Sequence, residues 1–358
     1  MKNLELKRIL FKKNIVLFIV FFLILNIFQI IIYVNNSEIN DYNEYKIFLI
    51  KYETTWKTNY KEIEELNKKF SNLETLILEN NNQYSKGLIS KEKYISNYNY
   101  YQNLRNSFNG FRIFYKQCSI MKDSKRSEPL IDMFFWQTIV DLSGTEIWIL
   151  LIVIILTVIV FNIDRISKFN QIQMTSYKGK NLFSIRIEII YFIVTISFVL
   201  FKLEKFILLS GIYSLSGWNS TIQNLSIFSN SKFNISLGIF FILSTIIQYI
   251  GTICFTALST LLSSILQKTE VIIFIEVSLT ILPVLIFNDK TIYKIPIIGP
   301  LYATKYFCGS IYIDYGDYTE CSFQQFTFTQ IIIILLISIL LQLLFIYFSR
   351  RIQQCSKK

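Results

Sequence analysis

The stretch NIVLFIVFFLILNIFQIIIYV, residues 14–34, contains no charged side chain. Crossing a hydrocarbon layer of roughly 30 Å takes about 20 apolar helical residues, so this stretch alone is long enough to span a bilayer. Its backbone would find no water there to bond, and a helix is the form that satisfies every backbone group within one segment. Five further apolar blocks follow, at about residues 147–163, 187–209, 237–266, 271–288 and 329–348. Together they predict an all-α integral membrane protein with six transmembrane helices.

Composition agrees. The 358 residues are 52% hydrophobic and 17% charged, and the apolar ones fall in uninterrupted runs rather than the scattered pattern of a soluble core. The formal charge of +11 raises nucleic acid as a partner. In a membrane protein, though, basic residues mark cytoplasmic edges and anionic headgroups, so no nucleic acid is expected. The 32 Phe and 22 Tyr, with much Ile, Asn and Lys, read as the product of an AT-rich bacterial genome. The chain has no histidine, which removes Ser-His-Asp and Cys-His nucleophiles, His-ligated zinc and the H-E-x-x-H signature together. Its five cysteines, Cys118, Cys254, Cys308, Cys321 and Cys355, show no C-x-x-C spacing, and no metal site is expected. Nothing in the sequence points to covalent chemistry or to a bound cofactor.

The first span follows Lys7, Arg8, Lys12 and Lys13, as a signal peptide would follow its basic start. Its apolar core is longer than a signal core, and Tyr33-Val34-Asn35-Asn36 offers no small-residue cleavage pattern, so the reading is a retained anchor. Upstream, Leu4, Leu6, Ile9, Leu10 and Phe11 alternate with basic residues, as in a short amphipathic helix on a membrane surface.

Residues 35–143 are too long for a loop without structure of its own. Tyr52, Trp56, Ile63, Leu66, Phe70, Leu73 and Ile77 recur at spacings of three and four, interrupted at Asn59; Tyr101, Leu104, Phe108, Phe111 and Tyr115 do the same. Between the two stripes lies the turn-rich run Asn80-Asn81-Asn82-Gln83-Tyr84-Ser85-Lys86-Gly87, with Ser90 a candidate N-cap. The reading is an extracellular antiparallel helical hairpin.

Basic residues set the expected orientation. Arg165, Lys168, Lys178, Lys180 and Arg186 lie between spans two and three, Lys268 between four and five, and Arg350, Arg351, Lys357 and Lys358 after span six. Both termini are then cytoplasmic, and the hairpin, residues 211–234 and residues 289–328 are outside. Gly179-Lys180 is no P-loop, because Asn181 stands where Ser or Thr is needed and Met174 where the first glycine is.

Glu276 sits inside the fifth block, where an ionised carboxylate is costly unless it meets protein, water or a cation. A structural hydrogen bond and a conduit or gate are both open readings of it. Pro283, later in the same helix, removes a backbone donor and is expected to kink it. Arg186 and Glu188 are read as interface anchors of span three. Cys308 and Cys321 share one outer loop; a disulfide between them and two free thiols are both open.

The segment VFNIDRISKFNQIQMTSYKGKNLFSIRIEII, residues 160–190, resembles the region between spans two and three of ABC type-2 exporter permeases. Asp164, Thr175, Ser176, Gly179, Lys180 and Arg186 occupy the places of that family's acidic span end, small-hydroxyl pair, Gly-basic pair and basic span start; Lys168 stands where a glycine is usual. The order of surface helix, span, large insertion and five spans resembles the subgroup with an insertion after span one. The resemblance implies a permease subunit of the bacterial cytoplasmic membrane, working as a homodimer or with a related permease. Substrate would be a hydrophobic molecule or peptide, with export or antimicrobial-peptide immunity as the role. ATP and Mg would be bound by a separate ATP-binding subunit docked on residues 164–180, with Ile172 and Met174 in its groove and Lys178 and Lys180 steering toward acidic rims. The rival reading is a signalling or mechanotransmission protein whose hairpin binds a partner.

Overall fold

The computed structural model describes residues 2–12, 14–36, 39–123, 128–142, 147–163, 182–266, 268–286, 292–314 and 319–355. The chain opens with α1 (Lys2–Lys7), extended by a π-helical run, Arg8–Lys12. Asn14 turns the chain into α2 (Ile15–Asn36) with φ 55°, a left-handed conformation that asparagine tolerates better than most residues. Of the apolar residues in the surface segment, Ile9 is buried while Leu4 and Phe11 are exposed.

The insertion folds as α3 (Ile39–Tyr52), α4 (Tyr60–Ser71), α5 (Leu73–Ser85) and α6 (Lys91–Asp123), and the 33-residue α6 packs against all three shorter pieces. The chain before the turn is therefore three helices where one continuous helix was expected. Asn80 to Ser85, expected to be a turn, belong to α5. That helix ends at Gly87, whose φ is 68°, with Leu88 N–H donating to Gln83 O and Gly87 N–H to Tyr84 O. This paired bonding satisfies two of the carbonyls that a helix end leaves over. Ser90 then caps α6, its Oγ accepting from Lys93 N at 3.3 Å.

Tyr52, Trp56, Ile63, Phe70 and Leu73 of the first stripe are buried, facing Phe111, Phe114, Cys118 and Met121 of α6. Phe108 is exposed at the margin, and Phe111 instead stacks on Phe70 with ring centroids 4.4 Å apart. The stripe on α6 thus runs further toward its C-terminus than the spacing implies. At Gly110 the α6 backbone meets α3 so closely that a Cβ would lie 2.5 Å from Tyr45 N.

Next come α7 (Met133–Leu142), α8 (Ile147–Val158) with a π-helical end at Ile159–Ile163, α9 (Leu182–Ile212), α10 (Leu237–Ile265), α11 (Thr269–Ile286) and α12 (Phe328–Cys355). Among the described residues, five helices are long and apolar enough to cross a membrane: Ile15–Asn35, Met133–Phe161, Leu182–Ile212, Leu237–Ile265 and Phe328–Ile352. These are the helices of a multi-pass membrane protein. The second begins at Met133, not at residue 147, because Phe135, Trp136 and Ile139 of α7 are apolar and buried. The block expected at 271–288 is the 18-residue α11, which runs through Pro283 to Ile286 and is not one of the five.

Parts of the expected outer loops fold back on the bundle: Ile222, Leu225 and Phe228 of the first and most of Gly299–Phe307 of the second are buried. A 3-10 segment, Gly299–Phe307, packs against α10, and Phe307 meets Phe233 and Phe240 from the chain before and within that helix. Beyond it, β1 (Ile311–Asp314) and β2 (Thr319–Phe323) pair antiparallel, and the other regular elements among the described residues are helices.

Gly110→Ala should force α6 away from α3 and destabilise the protein by about 1–3 kcal/mol, the usual cost of overpacking. A lowered urea midpoint of tryptophan fluorescence for the purified variant checks this, and an unchanged midpoint refutes it.

Candidate functional site

In lipid a polar side chain needs a partner supplied by the protein, and α10 carries many polar side chains on its buried face. Near the N-terminal side of the bundle, Ser259 of α10 donates to Glu276 Oε1 of α11 at 2.8 Å. The same Ser259 hydroxyl shares a hydrogen bond of 2.6 Å with Thr157 Oγ1 of α8. Glu276 is fully buried, so one carboxylate and two hydroxyls tie three helices together.

A second set of polar groups lies nearer mid-helix. Lys202 Nζ of α9 donates to Gln248 Oε1 of α10, whose amide reaches Leu301 O at 3.5 Å. Lys205 Nζ, 5% exposed, donates to Leu142 O at 2.9 Å, and Glu204 accepts from Asn26 Nδ2 of α2 at 2.6 Å. At about 1.5 Å per residue, Lys202 lies about 15 Å from the Ile212 end of α9, well inside a helix long and apolar enough to cross a membrane. Ionisable side chains at such a depth mark pathways or binding sites by default. Lys202, Lys205 and Gln248 also line a small cleft with Ser244, Phe206 and Phe241.

The sequence reading passed over Lys202, Glu204 and Lys205. The three charges clustered at 202–205 in the apolar block 187–209 were the available signal, but the long run of isoleucine, valine and phenylalanine on their N-terminal side dominates the block. Asn26, the asparagine inside the apolar run 15–34, acquires meaning only from Glu204 opposite.

Two buried junctions hold the ends of the bundle. On the N-terminal side, Arg186 Nε donates to Glu5 Oε1 at 2.9 Å and Arg8 donates to the same oxygen at 2.6 Å, with an exposed pair, Lys2 and Glu188 at 2.7 Å, outside them. Arg186 is 4% exposed, so it is a docking partner for the surface helix and not the interface anchor expected. On the insertion side, Asp132 Oδ2 accepts from Tyr42 Oη at 2.7 Å and Ser214 Oγ at 2.6 Å, while Oδ1 caps α7 through Phe134 N. Tyr45 Oη and Gln117 Nε2 both donate to Ile131 O beside it, and Tyr45 Oη also lies within hydrogen-bond distance of Gln117 Oε1. Burial and the Asp132 carboxylate push the Tyr42 hydroxyl up to about 12, which keeps it a donor.

Cys308 is a free, buried thiol near Thr304 O, pushed up to about 11 by burial. The Cys321 side chain lies outside the described residues, although its backbone pairs with Tyr312. Asp164, Ile172, Met174, Thr175, Ser176, Lys178, Gly179 and Lys180, the expected coupling residues, also lie outside them. Among the described residues no group of His, Cys, Asp and Glu could hold a metal ion.

The class these features define is a multi-pass membrane protein with ionisable groups set between its helices. No family model, curated protein or solved structure matches the chain.

Two outcomes follow. Arg186→Met should leave Glu5 paired with Arg8 of its own segment but not with α9, and so loosen the surface helix, at about 1–3 kcal/mol, the usual cost of losing a buried hydrogen-bond partner. Protease cleavage near Lys7 in the folded protein should rise, and the double variant Glu5→Met, Arg186→Met should recover part of the protection. Glu276→Leu should cost about 1–3 kcal/mol by leaving Ser259 without its acceptor, whereas Glu276→Gln keeps it. Thermal unfolding midpoints in detergent distinguish the two, and equal midpoints would reject the three-helix tie.

Proposed function

We propose that the chain is the permease subunit of an ATP-driven transporter of the ABC type-2 class, exporting a hydrophobic or peptide substrate or giving immunity to an antimicrobial peptide. The observation that carries this reading is the set of ionisable residues, Lys202, Glu204, Lys205 and Glu276, buried or half-buried between helices. Retaining such groups inside a bilayer is costly, and transport is a function that uses them. Counting α11, the reading has six spans, with both termini on the cytoplasmic side of a bacterial plasma membrane and the insertion outside.

A permease without a P-loop receives work by contact. The segment 164–181 leads into α9, at whose start the surface helix is held by Arg186 and Glu5. Motion of an ATP-binding subunit docked on that segment would reach α9, and through Lys202 and Gln248 it would reach α10. Two such chains, or two related ones, would form the path, with ATP and Mg held by the partner ATPase.

One observation favours the mechanotransmission alternative. The insertion is bonded to the bundle through Asp132, Tyr42 and Ser214, so it can carry a load rather than hang on a loose linker. Substrate-stimulated ATP turnover in the reconstituted complex separates the two.

Ile172→Asp with Met174→Asp should uncouple ATP turnover from substrate and lower ATPase co-purification at least tenfold, with membrane insertion unchanged. A variant that retains its ATPase and transports normally removes this segment as the coupling element.

A further inference from the structure

On α2, Leu25, Phe28, Gln29, Ile32 and Tyr33 recur at helical spacing and form one wall of a groove, about 12 Å long at about 1.5 Å per residue. Leu142 at the end of α7 and Trp148 near the start of α8 form the other wall. The groove encloses about 620 Å³, room of the order that small-molecule sites use. Both walls belong to helices long and apolar enough to cross a membrane, and Phe28 and Ile32 are exposed, so the medium that reaches the groove is lipid.

Polar groups are ordered along it by depth. Asp141, at the rim, accepts from Tyr33 Oη at 2.8 Å and from Gln137 Nε2 at 3.1 Å. Both donors are uncharged, and among the described residues no cation pairs with this carboxylate; Lys205 donates to the neighbouring Leu142 carbonyl and forms no ion pair with it. Gln29, one turn before Tyr33, accepts from Trp148 Nε1 through its Oε1. Its Nε2 meets no acceptor among the described residues, and an unmet amide donor is costly in lipid. From the Asn36 end of α2, Tyr33 lies about 5 Å in and Gln29 about 10 Å in, with Leu25 deeper still. A carboxylate without a cation, then an amide donor without an acceptor, then apolar walls match in order the ammonium head, ester carbonyls and acyl chain of a zwitterionic phospholipid.

We propose that this groove holds one phosphatidylethanolamine molecule of the leaflet nearer the insertion. Its ammonium sits on Asp141, an ester carbonyl accepts from Gln29 Nε2, and one acyl chain runs along Phe28 and Leu25 beside Trp148. Charge selects the head: a primary ammonium carries N–H groups for the carboxylate that a quaternary one lacks, and an anionic head would meet like charge. Bound there, the lipid fills the gap that the Tyr33–Asp141 and Trp148–Gln29 bonds bridge at two points. Such a site requires only that these helices cross a membrane, and it stands or falls apart from the transport reading.

The full-length chain in phosphatidylcholine nanodiscs, without ATPase, tests this through quenching of tryptophan fluorescence by lipids brominated on their acyl chains. Brominated phosphatidylethanolamine should give a saturable component that Trp148→Phe removes. Brominated phosphatidylcholine and phosphatidylglycerol should give only the gradual quenching of random contact. Asp141→Asn, which keeps an acceptor for Tyr33, should weaken the saturable component about tenfold and Gln29→Leu about fivefold, the scale of one hydrogen bond to a charged and to a neutral group. Saturable quenching by the choline or glycerol lipid equal to that by the ethanolamine lipid overturns the choice of head, and with it the proposal. A component insensitive to both Asp141→Asn and Gln29→Leu overturns the site, and gradual quenching by all three lipids overturns binding. A dimer linked through Phe28→Cys, absent from the unsubstituted chain and not suppressed by phosphatidylethanolamine, makes a second copy the occupant and overturns the proposal as well.

Discussion

Every polar group within a lipid layer must be satisfied by the protein itself, and α10 is where this constraint is met most fully. Thr252, Thr256 and Thr260 each return their hydroxyl to the carbonyl four residues back, which hides the hydroxyl while leaving a narrow helix surface. Around that surface gather α8, α9, α11, α12 and the 3-10 segment Gly299–Phe307. Lipid is as apolar as leucine, so burial of leucine does not drive this gathering; close packing of small residues and hydrogen bonds between helices do. Each such bond contributes only about 0.6 kcal/mol on average, and several distributed along one helix are needed to define the arrangement.

The same helix supplies two different kinds of tie. Ser259 meets a carboxylate and a hydroxyl, and the three helices joined there contribute no described cation to the bonds that Ser259 makes. Gln248 meets an ammonium group, in a region that also holds Lys205 and, facing α2, Glu204. Apolar residues of matching size would hold helices together with less desolvation cost than either arrangement. Buried polar groups that stability does not require are where function is expected to reside.

At the two ends, charge acts structurally. Asp132 receives hydrogen bonds from α3 and from the chain after α9, and it caps α7, so one carboxylate fixes the base of the insertion against the bundle. Trp56 reinforces the joint by donating to Glu128 O, and Trp136 by donating to Ser216 O. At the other end, Glu5 holds the surface helix on α9 through Arg186. A displacement of either end would therefore be felt by α9, which touches both junctions through Arg186 at its start and Ser214 just past its finish.

What the sequence by itself determined is that the chain has apolar helices long enough to cross a membrane, since a run such as residues 14–34 has no other stable form in lipid, and the N-cap at Ser90, whose hydroxyl acts on a backbone three residues away. The part of the stripe formed by Ile63 and Phe70 on α4 was legible for the same reason: burial at helical spacing is a local property of one helix. Only the tertiary structure decided where Asn80 to Ser85 fall, because helix propensity at that end yielded to packing of Asn80 and Tyr84 against Tyr94. It also turned Arg186 from an expected headgroup anchor into the partner of Glu5, and gave Asn26, Lys202 and Asp132 their roles. Each of those roles is a contact between residues 82 to 181 positions apart, or between helices whose facing surfaces no local spacing specifies. A polar residue in an apolar run announces that it needs a partner, but which residue answers is settled by how the helices pack.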